Sequence, residues 1–121
     1  MKVYGWKENE QGIEEGIMEV ENTLTALQEF VGGYIEVYPI GGDLLVVLNE
    51  EGKFNGMKPV AAYVEEEDKI VDIFFGNVLV CRSKHEEFTD IKDSDIEVIK
   101  SKIKKIIAMF GSKAQKKPQT N

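Results

Sequence analysis

Cys81 and His85 are the only thiol and the only imidazole in the chain, four residues apart. Such a pair does nucleophilic chemistry when the imidazole lies within hydrogen-bond reach of the sulfur and a third group orients it. Here the intervening Arg82-Ser83-Lys84 reads as a loop after a strand, and no third group is evident. Cys81 ends the apolar run Val78-Leu79-Val80, where a thiol is most often a small buried hydrophobe. Zinc is poorly served as well, because a structural site takes about four ligands and a catalytic one about three. The expectation is a domain without catalysis, metal or cofactor. A single cysteine also forbids an internal disulfide, which fits a reducing, cytoplasmic setting.

The carboxylates suggest binding instead. Glu50 and Glu51 are neighbours on a turn, and Glu65, Glu66, Glu67 and Asp68 form an acidic tip. Adjacent carboxylates on an extended chain point in different directions, so both groups read as solvated corners or partner contacts and not as metal cages. Residues 1 to 99 hold all 22 acidic groups and 8 of the 15 basic ones, a balance of −14, whereas residues 100 to 121 carry +7. An acidic body repels phosphate backbones, which argues against nucleic acid as the main ligand. It favours a basic protein surface, since complementary charge selects partners and speeds encounter. The plainer reading is that such a surface keeps the protein soluble.

A second expectation is a small-molecule site, a binder or sponge for a signalling nucleotide. Tyr34, Tyr38, Asn49, Lys53, Asn55 and Arg82 would line it, with rings stacking on a base and cations meeting phosphate. A symmetric homo-oligomer would double a weak pocket of this kind.

Positioning these residues is the work of a modest set of elements. "MKVYGWKE" alternates as a strand, Gly12 and Gly16 bracket a turn, and "IMEVE" from Ile17 to Glu21 alternates again, suggesting a hairpin. Asn22 is placed to cap a helix in which Leu24, Leu27, Phe30 and Val31 share one face. Gly32 or Gly33 then stops it. Phosphate cradles put glycines before a helix, at its positive end, so glycines after a helix argue against phosphate.

"YIEVYPI" and "LLVVL" around Gly41-Gly42-Asp43 predict a hairpin with Pro39 at an edge. The loop Asn49 to Pro59 carries two turn signals and is long enough to bind something. "VAAYV" is a brief strand or a lining segment. Residues 70 to 82 read as a hairpin or as one strand bent at Gly76, with a hairpin or bulge preferred. Ser94 and Glu97 form a capping box before Ile96, Ile99, Ile103, Ile106 and Phe110, one helical stripe ended by Gly111.

The fold expected is α+β: a mainly antiparallel sheet of five to six strands with one short helix and one longer C-terminal helix on a single face. Residues 1 to 111 would form one domain and residues 112 to 121 a disordered basic tail. No apolar run approaches the roughly 18 residues of a membrane span. Glu8, Glu10, Glu14, Glu15 and Glu19 interrupt anything like a secretory signal.

At "TLTALQEFVGGYIEVYP" followed by "VLNEEGKFNGM", the chain resembles a family of small bacterial and bacteriophage domains of unknown function. The likeness runs from residue 1 to about residue 82. Thr23, Leu24, Leu27, Gln28, Val31 to Glu36 and Asn49 to Lys53 fall on its pattern. After the loop the family often continues with a Gly-Leu-Pro-Asn-Arg-like segment, where this chain has Gly56-Met57-Lys58-Pro59-Val60. The resemblance implies genes frequent in phages and mobile elements, where small acidic proteins often act on host defence proteins or other host machinery.

Overall fold

Two apolar runs, Leu44 to Leu48 and Val78 to Cys81, lie side by side in the structure, a computed structural model that describes residues 1–106. They belong to β4 (Leu44–Asn49) and β7 (Val78–Lys84). Around them pair β1 (Lys2–Asn9), β2 (Gly12–Glu19), β3 (Ile35–Gly41) and β8 (Glu87–Thr89). The resulting six-stranded sheet has the order β2-β1-β7-β4-β3, with β8 paired to β7, and every pairing is antiparallel. A three-stranded antiparallel sheet, β6-β5-β9, is built from β5 (Pro59–Glu65), β6 (Lys69–Phe75) and β9 (Ile103–Lys105). The helices are α1 (Leu24–Val31) and α2 (Asp95–Lys102).

The central strands are apolar at consecutive positions because both faces of the large sheet are covered. Val46, Val78 and Val80 point to one side, with Tyr4 and Trp6, and meet Val60, Ala61, Phe74 and Ile103 of the small sheet and Ile99 of α2. Val47, Leu79 and Cys81 point to the other side, with Val3, and meet Leu27 and Val31 of α1. The domain is thus α+β in three layers: α1, the large sheet, and the small sheet with α2. The expectation of two helices on a single face is corrected by this arrangement. A large sheet of six strands agrees with the count expected, and the second sheet is additional.

Several local readings also need correction. Gly12 to Gly16 is strand and not turn, because β2 pairs with β1 from Gly12 onward and the turn is Glu10-Gln11. β6 and β7 do not form the preferred hairpin. The chain leaves the small sheet at Phe75 and enters the large one at Val78, so Gly76-Asn77 is a crossing between layers. Arg82, Ser83 and Lys84 are not a loop: they continue β7 into a hairpin with β8.

Where the longer helix is expected, α2 is no longer than α1. It ends at Lys102, and Ile103, Lys104 and Lys105 pair with Tyr63, Ala62 and Ala61 at the open edge of β5. An eight-residue helix is marginal by itself, and the backbone bonds offered by that edge outweigh a helical repeat of β-branched residues. Ile99 and Ile103 are buried as the stripe requires, one from a helix and one from a strand. Ser94 has helical dihedrals and makes no capping bond, so the capping box does not form. The expected helix end at Phe110-Gly111 and the tail 112–121 lie outside the described residues. Among the described residues, no helix is long and apolar enough to cross a membrane.

Candidate functional site

The end of α1 and the end of β4 are built against each other. Thr23, and not Asn22, caps the helix: its hydroxyl accepts the Ala26 N–H at 3.1 Å, while the Asn22 amide donates to the Phe88 carbonyl. Leu27 and Val31 turn the buried face of α1 onto the sheet. Gly32 adopts the left-handed conformation at φ 82° that ends the helix, and the Gly32 and Gly33 N–H groups both donate to the Gln28 carbonyl. The glycines therefore stop the helix, as their position after it requires.

The Val31 carbonyl is left over, and Asn49 takes it. Asn49 is 4% exposed; its Nδ2 donates to Val31 O at 3.1 Å and its Oδ1 accepts the Glu51 N–H at 2.7 Å. One buried amide thus closes the helix and starts the following loop. The loop folds on itself through Asn55 N–H to Glu51 O at 2.9 Å and Met57 N–H to Gly52 O at 3.1 Å. Gly52 is needed where the loop crosses β6, since a Cβ there would meet the Phe75 carbonyl oxygen at 2.6 Å. The Glu50 N–H donates to Tyr34 O at 2.9 Å, fixing Tyr34 beside the loop.

These contacts shape a notch of about 340 Å³ lined by Gln28, Gly33, Tyr34, Asn49, Glu50, Glu51 and Asn55. Tyr34 is 70% exposed at its rim, and Phe54, 89% exposed, stands on the same loop. Both charged side chains that line the notch are negative. Glu50 and Glu51 make no ion pair among the described residues. The helix that ends here presents its negative pole and carries no basic residue in its last turn.

The six residues expected to bind a nucleotide do not converge. Tyr34, Asn49 and Asn55 line the notch, while Tyr38 and Lys53 line a smaller cleft of about 160 Å³ between β3, β4 and β6, which Asn49 also touches. That volume falls below the roughly 300 Å³ at which small-molecule sites begin. Lys53 is already engaged, 3.6 Å from Asp72 and 5.8 Å from the centre of the Phe75 ring. Tyr38 is packed edge-on against Tyr63 and Phe74, with centroids 5.6 and 5.5 Å away, and burial raises its phenol pKa.

Arg82 lies elsewhere. It pairs with Leu44 at the start of β4 whereas Asn49 ends that strand, a separation of about 17 Å at some 3.4 Å per residue. Its guanidinium grips Asp95 through Nε at 2.7 Å and the terminal nitrogen at 2.9 Å, and also approaches Asp43. The Asp95 carboxylate accepts the Lys92 N–H as well, and the arginine beside it holds its pKa below the ordinary carboxylate range. This clamp ties α2 to β7.

The acidic tip Glu65 to Asp68 is the exposed turn between β5 and β6, with Glu67 and Asp68 at φ 59° and 57°. Cys81 is fully buried under α1, and burial pushes its thiol up to about 12, far from a neutral-pH nucleophile. His85 sits in the β7–β8 turn. Gln28 and Gly33 join the notch without having been singled out as contacts, while Phe54 lines the smaller cleft beside Lys53. Gln28 and Gly33 lie within the family-like segment, and Phe54 was visible as a lone aromatic between two turn signals.

The architecture and notch describe a small α+β domain with an acidic notch at the end of α1. The chain belongs to the family described as a domain of unknown function, DUF3846, whose model matches residues 7–108. No curated protein and no solved structure matches it significantly.

Proposed function

We propose that the chain is a non-catalytic, cytoplasmic binding module that docks its acidic body on a basic surface of a host protein. The observation that carries this reading is the notch. Tyr34 offers an exposed ring beside Glu50 and Glu51, which have no cationic partner among the described residues. Tyrosine is enriched among the residues that anchor protein interfaces, and unpaired surface charge selects a partner of opposite sign. The phage and mobile-element context implied by the sequence resemblance supports a host partner, with defence proteins first among the candidates. The charge of the notch weighs against the phosphate groups of a nucleotide ligand, and so favours this reading over a nucleotide sponge.

The test is capture of a partner from host lysate, its identification by mass, and calorimetry with the two purified proteins at low and high salt. The reading expects direct binding that weakens as salt rises. Binding indifferent to salt, or no binding between purified components, contradicts it.

A further inference from the structure

We infer that the Tyr34–Glu51 notch receives an arginine side chain of the partner; this rests on the binding-module reading and names its anchor. The argument is one of exclusion and shape. An anion is disfavoured by two carboxylates and the negative end of α1. A calcium ion asks for six to eight oxygens in a cage, and no group of three or more metal-ligating side chains exists among the described residues. An apolar side chain would strip water from Glu50 and Glu51 without repaying it.

A guanidinium answers each feature. Its flat face matches the exposed Tyr34 ring, its paired N–H groups match a carboxylate, and the amide side chains of Gln28 and Asn55 line the same notch. An ammonium is more strongly hydrated and has no plane to lay on a ring. The latch formed by Asn49 holds the loop before a partner arrives, so little ordering is required on binding.

The experiment titrates the full chain with N-acetyl-argininamide, followed by NMR. Saturable shifts are expected at Tyr34, Glu51 and Asn55, with the uncharged isostere N-acetyl-citrullinamide producing none. N-acetyl-lysinamide should bind about threefold more weakly, and Tyr34→Ala should weaken the arginine probe by a similar factor while Tyr34→Phe keeps it. Equal shifts from the citrulline probe, arginine shifts confined to Glu65 to Asp68, or calcium chloride displacing arginine from the notch would overturn the assignment. The purified partner separates the two ideas. If it binds Tyr34→Ala and Glu51→Gln as well as the natural chain, the notch assignment falls and the module stands. If it fails to bind the natural chain, the wider reading falls whatever the probe does.

Discussion

Gly33 and Asn49 touch so closely that only a hydrogen fits between them: a Cβ on Gly33 would stand 2.8 Å from Asn49 Nδ2. The two most distinctive pieces of the sequence, "VGGY" and "NEEG", are therefore halves of one latch. Removing the amide in Asn49→Ala leaves the Val31 carbonyl and the Glu51 N–H without partners, a cost of about 2 to 3 kcal/mol. Gly33→Ala should destabilise by crowding that same amide. The pair should be strongly non-additive, since Asn49→Ala removes the atom that the new methyl strikes. Urea midpoints of the two single variants and the double variant measure this; simple additivity would show that the contact is incidental.

The Arg82–Asp95 clamp makes a pH prediction. Asp95 is titrated at a lower pH in the folded chain than in the unfolded one, chiefly because Arg82 hydrogen-bonds its carboxylate. The stabilisation is then complete above the unfolded carboxyl range near 4 and is lost as pH falls through the lower folded value. Asp95→Asn should cost about 1 to 2 kcal/mol at neutral pH, because Arg82 loses its two-point charged partner and keeps only the longer contact to Asp43. Denaturant midpoints of the two proteins should converge in acid; a gap that stays constant with pH contradicts the clamp.

His85 and Glu86 carry φ of 52° and 66° in the two-residue turn between β7 and β8. That geometry suits Asn-Gly, and side chains held there cost free energy. Replacing the pair by Asn-Gly should raise stability by about 1 kcal/mol, read as a higher Tm. A lower Tm would mean that the turn residues make contacts that outweigh the strain.

Cys81 should behave as a hydrocarbon. With its thiol pushed up to about 12 by burial, alkylation by iodoacetamide at neutral pH should be negligible until denaturant is added. Rapid native labelling would show that the layer under α1 opens readily.

Cyclic and linear nucleotides should leave Tm unchanged, since neither the notch nor the Lys53 cleft offers a free cation and enough volume together. A saturable rise with any of them would restore the nucleotide reading and weaken the docking one.

What was legible in the sequence was local. Gly41-Gly42-Asp43 between an alternating strand and an apolar run encodes its own hairpin, and glycines after a helical stripe announce its end. The unbroken apolarity of Leu44 to Leu48 suits a central strand, which is where it lies, beside Val78 to Cys81. Long-range pairings were not legible. Ile103 continues a helical repeat that its neighbours satisfy equally well as a strand, and only the open edge of β5 decides between them. Ser94 and Glu97 have the spacing of a capping box, yet Asp95 is drawn to Arg82 and Lys92 instead. In the sequence Asn49 reads as lining a small-molecule pocket; its burial depends on its close contact with Gly33, far away in the chain.

The most direct measurement is the affinity of the purified partner for Glu50→Lys/Glu51→Lys, two exposed changes whose folding is checked by Tm. A module that docks through the notch predicts at least about tenfold weaker binding, since like charges now face each other. An unchanged dissociation constant would contradict it.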